Sequence, residues 1–192
     1  MRRLEPNLSL HDVLKNSYKD PHDSKRMMLD RGYYLDKKLS NHNQQVYYKP
    51  TEKKLLVSVA GTHNIRDWGT DLYLGLGKLK DSNRYKEADS ILKQAKQKYN
   101  PTNTIVAGHS LGGTIAGYIA SKAGGDKAIT LDAGYTFGQK TRSNNDAYRS
   151  RGDVVSMIGS GNTRMKTLND LPAQTPLRAH DIGNIKNQNI LV

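Results

Sequence analysis

Cysteine is absent from the chain, which excludes a disulfide framework and any thiolate metal site. Aromatic residues other than tyrosine are almost absent too: one Trp and one Phe stand beside 11 Tyr. With 35% hydrophobic residues, the core is expected to be thin and partly polar. No apolar run is long enough to span a bilayer. The start, Met1-Arg2-Arg3-Leu4-Glu5-Pro6, has basic residues with no apolar segment behind them, so no secretory leader is expected. An intracellular or virion-associated setting is therefore expected over classical secretion. Acidic residues are also scarce, 18 against 30 Lys and Arg, for a net charge of +12. The excess is spread along the chain, and no basic motif interleaved with aromatics marks a nucleic-acid module, so nucleic acid is not an expected partner. An anionic membrane surface is the partner that such a charge would attract. A merely lysine-decorated surface is the plain alternative.

At 192 residues the chain has room for one domain with a real core. We read 1–43 as an accessory N-terminal helical layer and 44–192 as the part that carries the chemistry. Helices are expected over Asn7–Lys19 and Asp23–Arg31. Gln44–Tyr48 and Lys54–Ala60 form a β-hairpin around the turn Lys49-Pro50-Thr51-Glu52-Lys53. A short helix is expected in His63–Leu72. Arg84–Tyr99 is the clearest helix, with Tyr85, Ala88, Ile91, Leu92, Ala95 and Tyr99 on one face. A strand Thr104–Ala107, a helix Gly112–Ala123 and a strand Ala128–Leu131 follow. Gly134–Asn145 reads as a loop, Val154–Ile158 as a further strand, and the tail after Asp170 as a surface loop. Alternating strands and helices predict an α/β fold: a mainly parallel sheet with an N-terminal β-hairpin and helices on both faces.

Between the strand and the helix stands Gly108-His109-Ser110-Leu111-Gly112. This is a G-x-S-x-G nucleophile elbow in its strand–turn–helix setting, in which the two glycines let the chain turn sharply and expose the Ser110 hydroxyl. A serine hydroxyl is a weak nucleophile until a histidine takes its proton, and the histidine needs an acid to orient it. In α/β-hydrolases the chain order is Ser, acid, His. Five histidines (11, 22, 42, 63 and 109) precede Ser110, so His180 is the only downstream base. Asp126, Asp132, Asp146, Asp153 and Asp170 lie between them. Asp153 and Asp132 both suit a strand end, and spacing does not separate them. The oxyanion hole needs the N–H after the nucleophile, that of Leu111, and one from an earlier strand-end loop, here Gly61-Thr62-His63.

Val59-Ala60-Gly61-Thr62-His63-Asn64-Ile65-Arg66-Asp67-Trp68-Gly69-Thr70-Asp71, followed by Gly108-His109-Ser110-Leu111-Gly112-Gly113, resembles the class 3 lipases, the fungal triacylglycerol lipase-like branch of the α/β-hydrolases. The resemblance runs from about Gln44 to His180. It implies ester chemistry on lipids with no metal or organic cofactor. By this likeness Thr62 is the oxyanion residue, Trp68 and Asp71 belong to a lid or interface segment, and Asp153 in Asp153-Val154-Val155 is favoured over Asp132 as the acid. Ala60 stands where the family has an arginine, which predicts a missing loop anchor. The segment from Ser110 to His180 is shorter than in the fungal enzymes.

The resulting expectation is a serine hydrolase, lipase or phospholipase-like, that cleaves carboxylic esters of lipids through an acyl-enzyme. The catalytic set is Ser110, Asp153 and His180, with Thr62 and Leu111 at the oxyanion hole. The alternative is a structural or interaction component of a larger assembly, such as a virion, built on a lipase-like scaffold.

Overall fold

A computed structural model describes residues 7–21, 25–62, 78–122, 126–135, 143–157, 164–168, 175–186 and 188–192. Its centre is a seven-stranded sheet in the order β1 to β7. The strands are β1 (Tyr34–Leu35), β2 (Gln44–Lys49), β3 (Lys54–Val59), β4 (Asn103–His109), β5 (Lys127–Leu131), β6 (Asn145–Ser150) and β7 (Lys166–Leu168). β1, β2 and β3 pair antiparallel, and every pairing from β3 to β7 is parallel. The expected hairpin is β2–β3, turned through a short 3-10 segment at Pro50–Glu52 and a left-handed Lys53.

Side chains alternate across the strands, and the two faces bury different partners. Leu55, Val57, Val59, Val106 and Ala128 face one cluster with α3 (Asn83–Tyr99) and α4 (Leu111–Lys122). α3 contributes Tyr85, Ala88, Leu92 and Ala95, its predicted apolar face, and α4 contributes Ile115, Ala116, Ile119 and Ala120. Leu56, Ile105, Ala107, Ile129 and Leu131 face the opposite cluster. That side is covered by Leu10, Val13 and Leu14 of α1 (Leu10–Ser17), Met28 of α2 (Lys25–Asp30) and Ile185. α1 starts cleanly because Ser9 caps it, its side chain accepting the Asp12 N–H at 3.1 Å.

Three expectations need correction. Asn145–Ser150 is a strand where no element is expected; its Asn, Asp, Arg and Ser content hides it, yet it pairs with β5 and β7. Val154–Met157 is a short helix (α5) and not a strand, because Asp153 caps its N-terminus with both carboxylate oxygens, accepting from Val155 N–H at 3.2 Å and Ser156 N–H at 2.9 Å. The tail is not a mere surface loop. It forms α6 (Pro176–Ala179) and a 3-10 turn (Ile182–Ile185) whose Ile185 is fully buried. The chain end then meets the chain start: Leu10 N–H donates to Ile190 O at 2.8 Å and Val192 N–H to Leu8 O at 2.9 Å.

Registers of the parallel strands bring their carboxyl ends to one edge: Val59 pairs with Gly108, and His109 with Leu131. Ala60, Ser110 and Asp132 each follow one of these ends. Ligand sites of open parallel sheets lie outside such ends.

Candidate active site

β4 ends at His109 and α4 begins at Leu111, so Ser110 alone makes the turn. It does so with φ 56°, a left-handed backbone that is costly for a residue with a side chain. Ser110 N–H donates to Leu131 O at 3.0 Å, and its own carbonyl accepts from Thr114 N–H at 3.0 Å. Its Oγ is buried and has no hydrogen-bond partner among the described residues. Gly108 and Gly112 do not supply the turn's backbone freedom; they permit contact. A Cβ on Gly108 would collide with the Gly112 carbonyl, and one on Gly112 with the carbonyls of Val59 and Ala60. The glycines therefore let α4 lie against the ends of β3 and β4, while the strain falls on the serine. Leu111 is the first residue of α4, where backbone N–H groups lie outside the helix's own ladder.

Asp153 and His180 come together from distant parts of the chain. His180 Nδ1 lies 2.6 Å from Asp153 Oδ1, with both side chains buried. Burial works against a charged carboxylate, but the hydrogen bond and charge of His180 and the bonds from Ser156 outweigh it and hold the Asp153 carboxyl below its usual range. Asp153 thus enters the site as an anion that also caps α5. His180 ends α6, and Asp181 caps the 3-10 turn after it by accepting Gly183 N–H at 2.7 Å.

The rival carboxylate, Asp132, sits in the same corner. It follows β5 with φ 49° and is fully buried. Its oxygens meet Ser150 N–H at 2.6 Å and Ser150 Oγ at 2.9 Å. Burial, reinforced by the negative charge of Asp153, pushes its carboxyl well above the usual range. Two neighbouring carboxyls are thus shifted in opposite directions: Asp153 downward beside histidine, Asp132 upward in its buried corner. Side-chain ligand atoms of His109, Asp132 and His180 lie within 4.8 Å of one another, the one group of metal-ligand type among the described residues. Both nitrogens of His109 and Nδ1 of His180 already have hydrogen-bond partners in the protein, so we assign this group no ion.

Beyond β3, Gly61 runs beside the elbow. A Cβ on Gly61 would lie 3.0 Å from Ser110 Cβ and 2.9 Å from His109 O, so only glycine lets this strand end approach so closely. Two residues absent from the sequence-derived site hold the loop here. Tyr18, just past α1, accepts Gly61 N–H at 2.9 Å and contacts His109 Nδ1 at 2.7 Å. Arg84, in the first turn of α3, donates to Ala60 O at 2.6 Å and more weakly to Gly61 O at 3.4 Å. The anchor predicted as missing at Ala60 is thus supplied from α3. No local pattern announces either residue, since Tyr18 and His109 stand 91 positions apart. Trp68 and Asp71, with the helix expected in His63–Leu72, lie outside the described residues.

A family model for a Tle-like phospholipase domain matches residues 15–186. The chain belongs to the Tle-like phospholipase domain family. No curated protein sequence matches it. Among solved structures, this Tle-like phospholipase domain is similar to a triacylglycerol lipase described by its serine protease triad (TM-score 0.62, 15% identity, 84% of this chain and 78% of that one). It is also similar to the Rhizomucor miehei lipase propeptide complex (TM-score 0.55, 14% identity, 78% of this chain and 61% of that one). The lipase from Rhizopus microsporus var. chinensis aligns at TM-score 0.52 and 12% identity, over 85% of this chain and 74% of that one. This Tle-like phospholipase domain therefore has the lipase-like α/β-hydrolase fold that its sequence predicts, and it spans about 61% of the length of the Rhizomucor miehei lipase complex chain. Among its described residues no helix is long and apolar enough to cross a membrane.

Proposed function

We propose that the chain is a serine hydrolase that cleaves carboxylic ester bonds of lipids through an acyl-enzyme on Ser110. The Ser110 oxygen attacks the ester carbonyl carbon while His180 Nε2 takes the hydroxyl proton. The tetrahedral oxyanion is held by the N–H groups of Leu111 and Thr62. Its collapse breaks the bond to the leaving alcohol, whose oxygen receives the proton from His180. Water then attacks the acyl-enzyme by the same acid–base exchange and releases the fatty acid and free Ser110. Asp153 keeps the His180 proton on Nδ1 and stabilises the imidazolium that forms in each half-reaction.

The observation that carries this reading is the buried 2.6 Å Asp153–His180 pair in a fold whose elbow serine holds a left-handed backbone. His109 connects the two halves: it precedes Ser110, its ring lies 4.6 Å from that of His180, and its Nε2 lies 3.0 Å from the His180 carbonyl. Phospholipids are the substrates we favour, because the family is phospholipase-like and a net charge of +12 draws the protein to anionic membranes.

The test is Ser110→Ala, assayed on short soluble esters, triglyceride emulsions and anionic phospholipid vesicles. Hydrolysis is expected to fall by about 10³-fold or more in every assay where the native chain is active. A serine-directed fluorophosphonate should label the native chain and not Ser110→Ala or His180→Ala. Unchanged hydrolysis by Ser110→Ala would overturn the reading. A folded native chain that neither labels nor hydrolyses would favour a structural or interaction role on the same scaffold.

A further inference from the structure

The peptide between Ala60 and Gly61 is gripped from both sides. Its N–H donates to the Tyr18 hydroxyl at 2.9 Å, and its carbonyl accepts from Arg84 at 2.6 Å. Arg84 also reaches the Gly61 carbonyl, which belongs to the next peptide, the one bearing the Thr62 N–H. No described peptide bond is cis. In a trans peptide the C=O and N–H point in opposite directions, so a cation on the Gly61 carbonyl fixes the opposite aim of the Thr62 N–H. It also polarises that amide, which strengthens the N–H as a donor.

Tyr18 passes the grip onward. The His180 carbonyl can only accept, so His109 Nε2 must carry the proton in the 3.0 Å contact between them. Burial, with the neighbouring His180 adding to it, pushes the His109 pKa down to about 3, so the ring is neutral and its Nδ1 is bare. The Tyr18 O–H therefore donates to Nδ1 while its oxygen accepts from Gly61. Burial also pushes the Tyr18 phenol up, so it keeps its proton. One directed chain results: Gly61 N–H to Tyr18, Tyr18 to His109, and His109 to the backbone of His180. Each of these three contacts runs in the sense that its donor and acceptor allow.

We infer that Tyr18 and Arg84 are positioning residues that clamp the strand end after β3, aim the Thr62 N–H at the oxyanion and tie that loop to the backbone of His180. The inference rests on the acyl-enzyme reading above. Neither side chain need touch substrate. Losing an oxyanion donor outright costs about 10²–10³ in turnover, and misdirecting one costs less.

The experiment compares Tyr18→Phe, Arg84→Gln and the double variant with the native chain on a short soluble ester. A trifluoromethyl ketone serves as the tetrahedral-adduct probe. The clamp predicts that each single variant loses about 10- to 100-fold in kcat with KM unchanged, and loses ketone affinity by a similar factor. The double variant should be no worse than about the poorer single one, because both act on one peptide. Arg84 lies at the start of a helix, so Arg84→Gln keeps the test alive where Tyr18→Phe fails to fold. An active native chain whose folded variants keep kcat and ketone affinity within about twofold would overturn the clamp alone. Losses that match only a fall in folded fraction would overturn it as well. An inactive native chain that no fluorophosphonate labels would instead sink the hydrolase reading, and the clamp with it.

Discussion

The two faces of the sheet are built differently, and the difference explains where the chemistry gathers. One face is covered by α3 and α4, each lying in the chain between neighbouring parallel strands, and its packing is apolar and local in the chain. The other is covered by the two ends of the chain: α1 from the start, and Ile185 from the turn behind His180. The first face holds the helix that follows Ser110. The second delivers Tyr18 at the end of α1, and next to it the His180 segment. A stable βαβ scaffold therefore presents Ser110, while closure of the termini completes what surrounds it.

The largest effect should come from the acid beside His180. Asp153→Asn keeps the shape but offers His180 Nδ1 an amide, which no longer favours the catalytic tautomer or stabilises the imidazolium. By analogy with other triads, kcat should fall about 10⁴-fold. Steady-state kinetics and fluorophosphonate labelling rates check this. A loss of less than about tenfold would mean that Asp153 caps α5 without serving the histidine.

The next prediction sets the faces against each other. Leu92→Ala removes a fully buried side chain beneath α3, and Ile185→Ala removes one beneath the turn after His180. Each should cost about 2–5 kcal/mol of stability by denaturant titration. Only Ile185→Ala should also lower kcat per folded molecule, since its turn begins two residues beyond His180. Equal catalytic effects from the two would erase the distinction between scaffold and closure.

The first face was the more legible of the two in the sequence. The 3.6-residue spacing of Tyr85, Ala88, Leu92 and Ala95 gives α3, and the Gly-His-Ser-Leu-Gly run gives the β4–α4 elbow with nearly correct boundaries. The hairpin was equally plain, since apolar Leu55–Val59 follows a Pro-Thr-Glu-Lys turn. What resisted lies between β5 and the tail, where the elements are short and polar. β6 is Asn-Asp-Ala-Tyr-Arg-Ser, a composition that reads as a loop, and only pairing on both sides makes it a strand. Val154-Val155-Ser156-Met157 has β-branched residues that suggest a strand, yet the Asp153 cap turns it into a helix. For the site, elimination nominated His180 and resemblance preferred Asp153, the two side chains that meet at 2.6 Å. Tyr18 and Arg84 carried no signal. Hydrogen bonds to another segment's backbone depend on the partner's place in space, which no local pattern encodes.

The smallest expected effect makes the sharpest distinction, because it separates two carboxylates in one corner. The Asp153 carboxyl is held below its usual range, so it adds stability above an unfolded-state pKa of about 3.9, and that contribution is lost as pH falls through its folded value. Asp132 has the opposite sign. Its folded pKa is raised, so above about pH 3.9 the unfolded chain sheds a proton that the folded chain keeps, and stability falls as pH rises toward the folded value. Asparagine removes the titrating group at nearly the same volume: its oxygen accepts the Ser150 N–H, the Ser150 hydroxyl that donates to Asp132 Oδ2 turns to accept from the amide, and asparagine tolerates the left-handed backbone at this position. Asp132→Asn should therefore leave kcat within about twofold of the native value and raise the melting temperature at pH 7, with the gain shrinking toward pH 4. Thermal unfolding across that range, beside kinetics at pH 7, is the check. A lowered melting temperature at pH 7 together with a kcat loss rivalling that of Asp153→Asn would show that Asp132 is ionised and shares the histidine, and the division of labour between the two acids would have to be reversed.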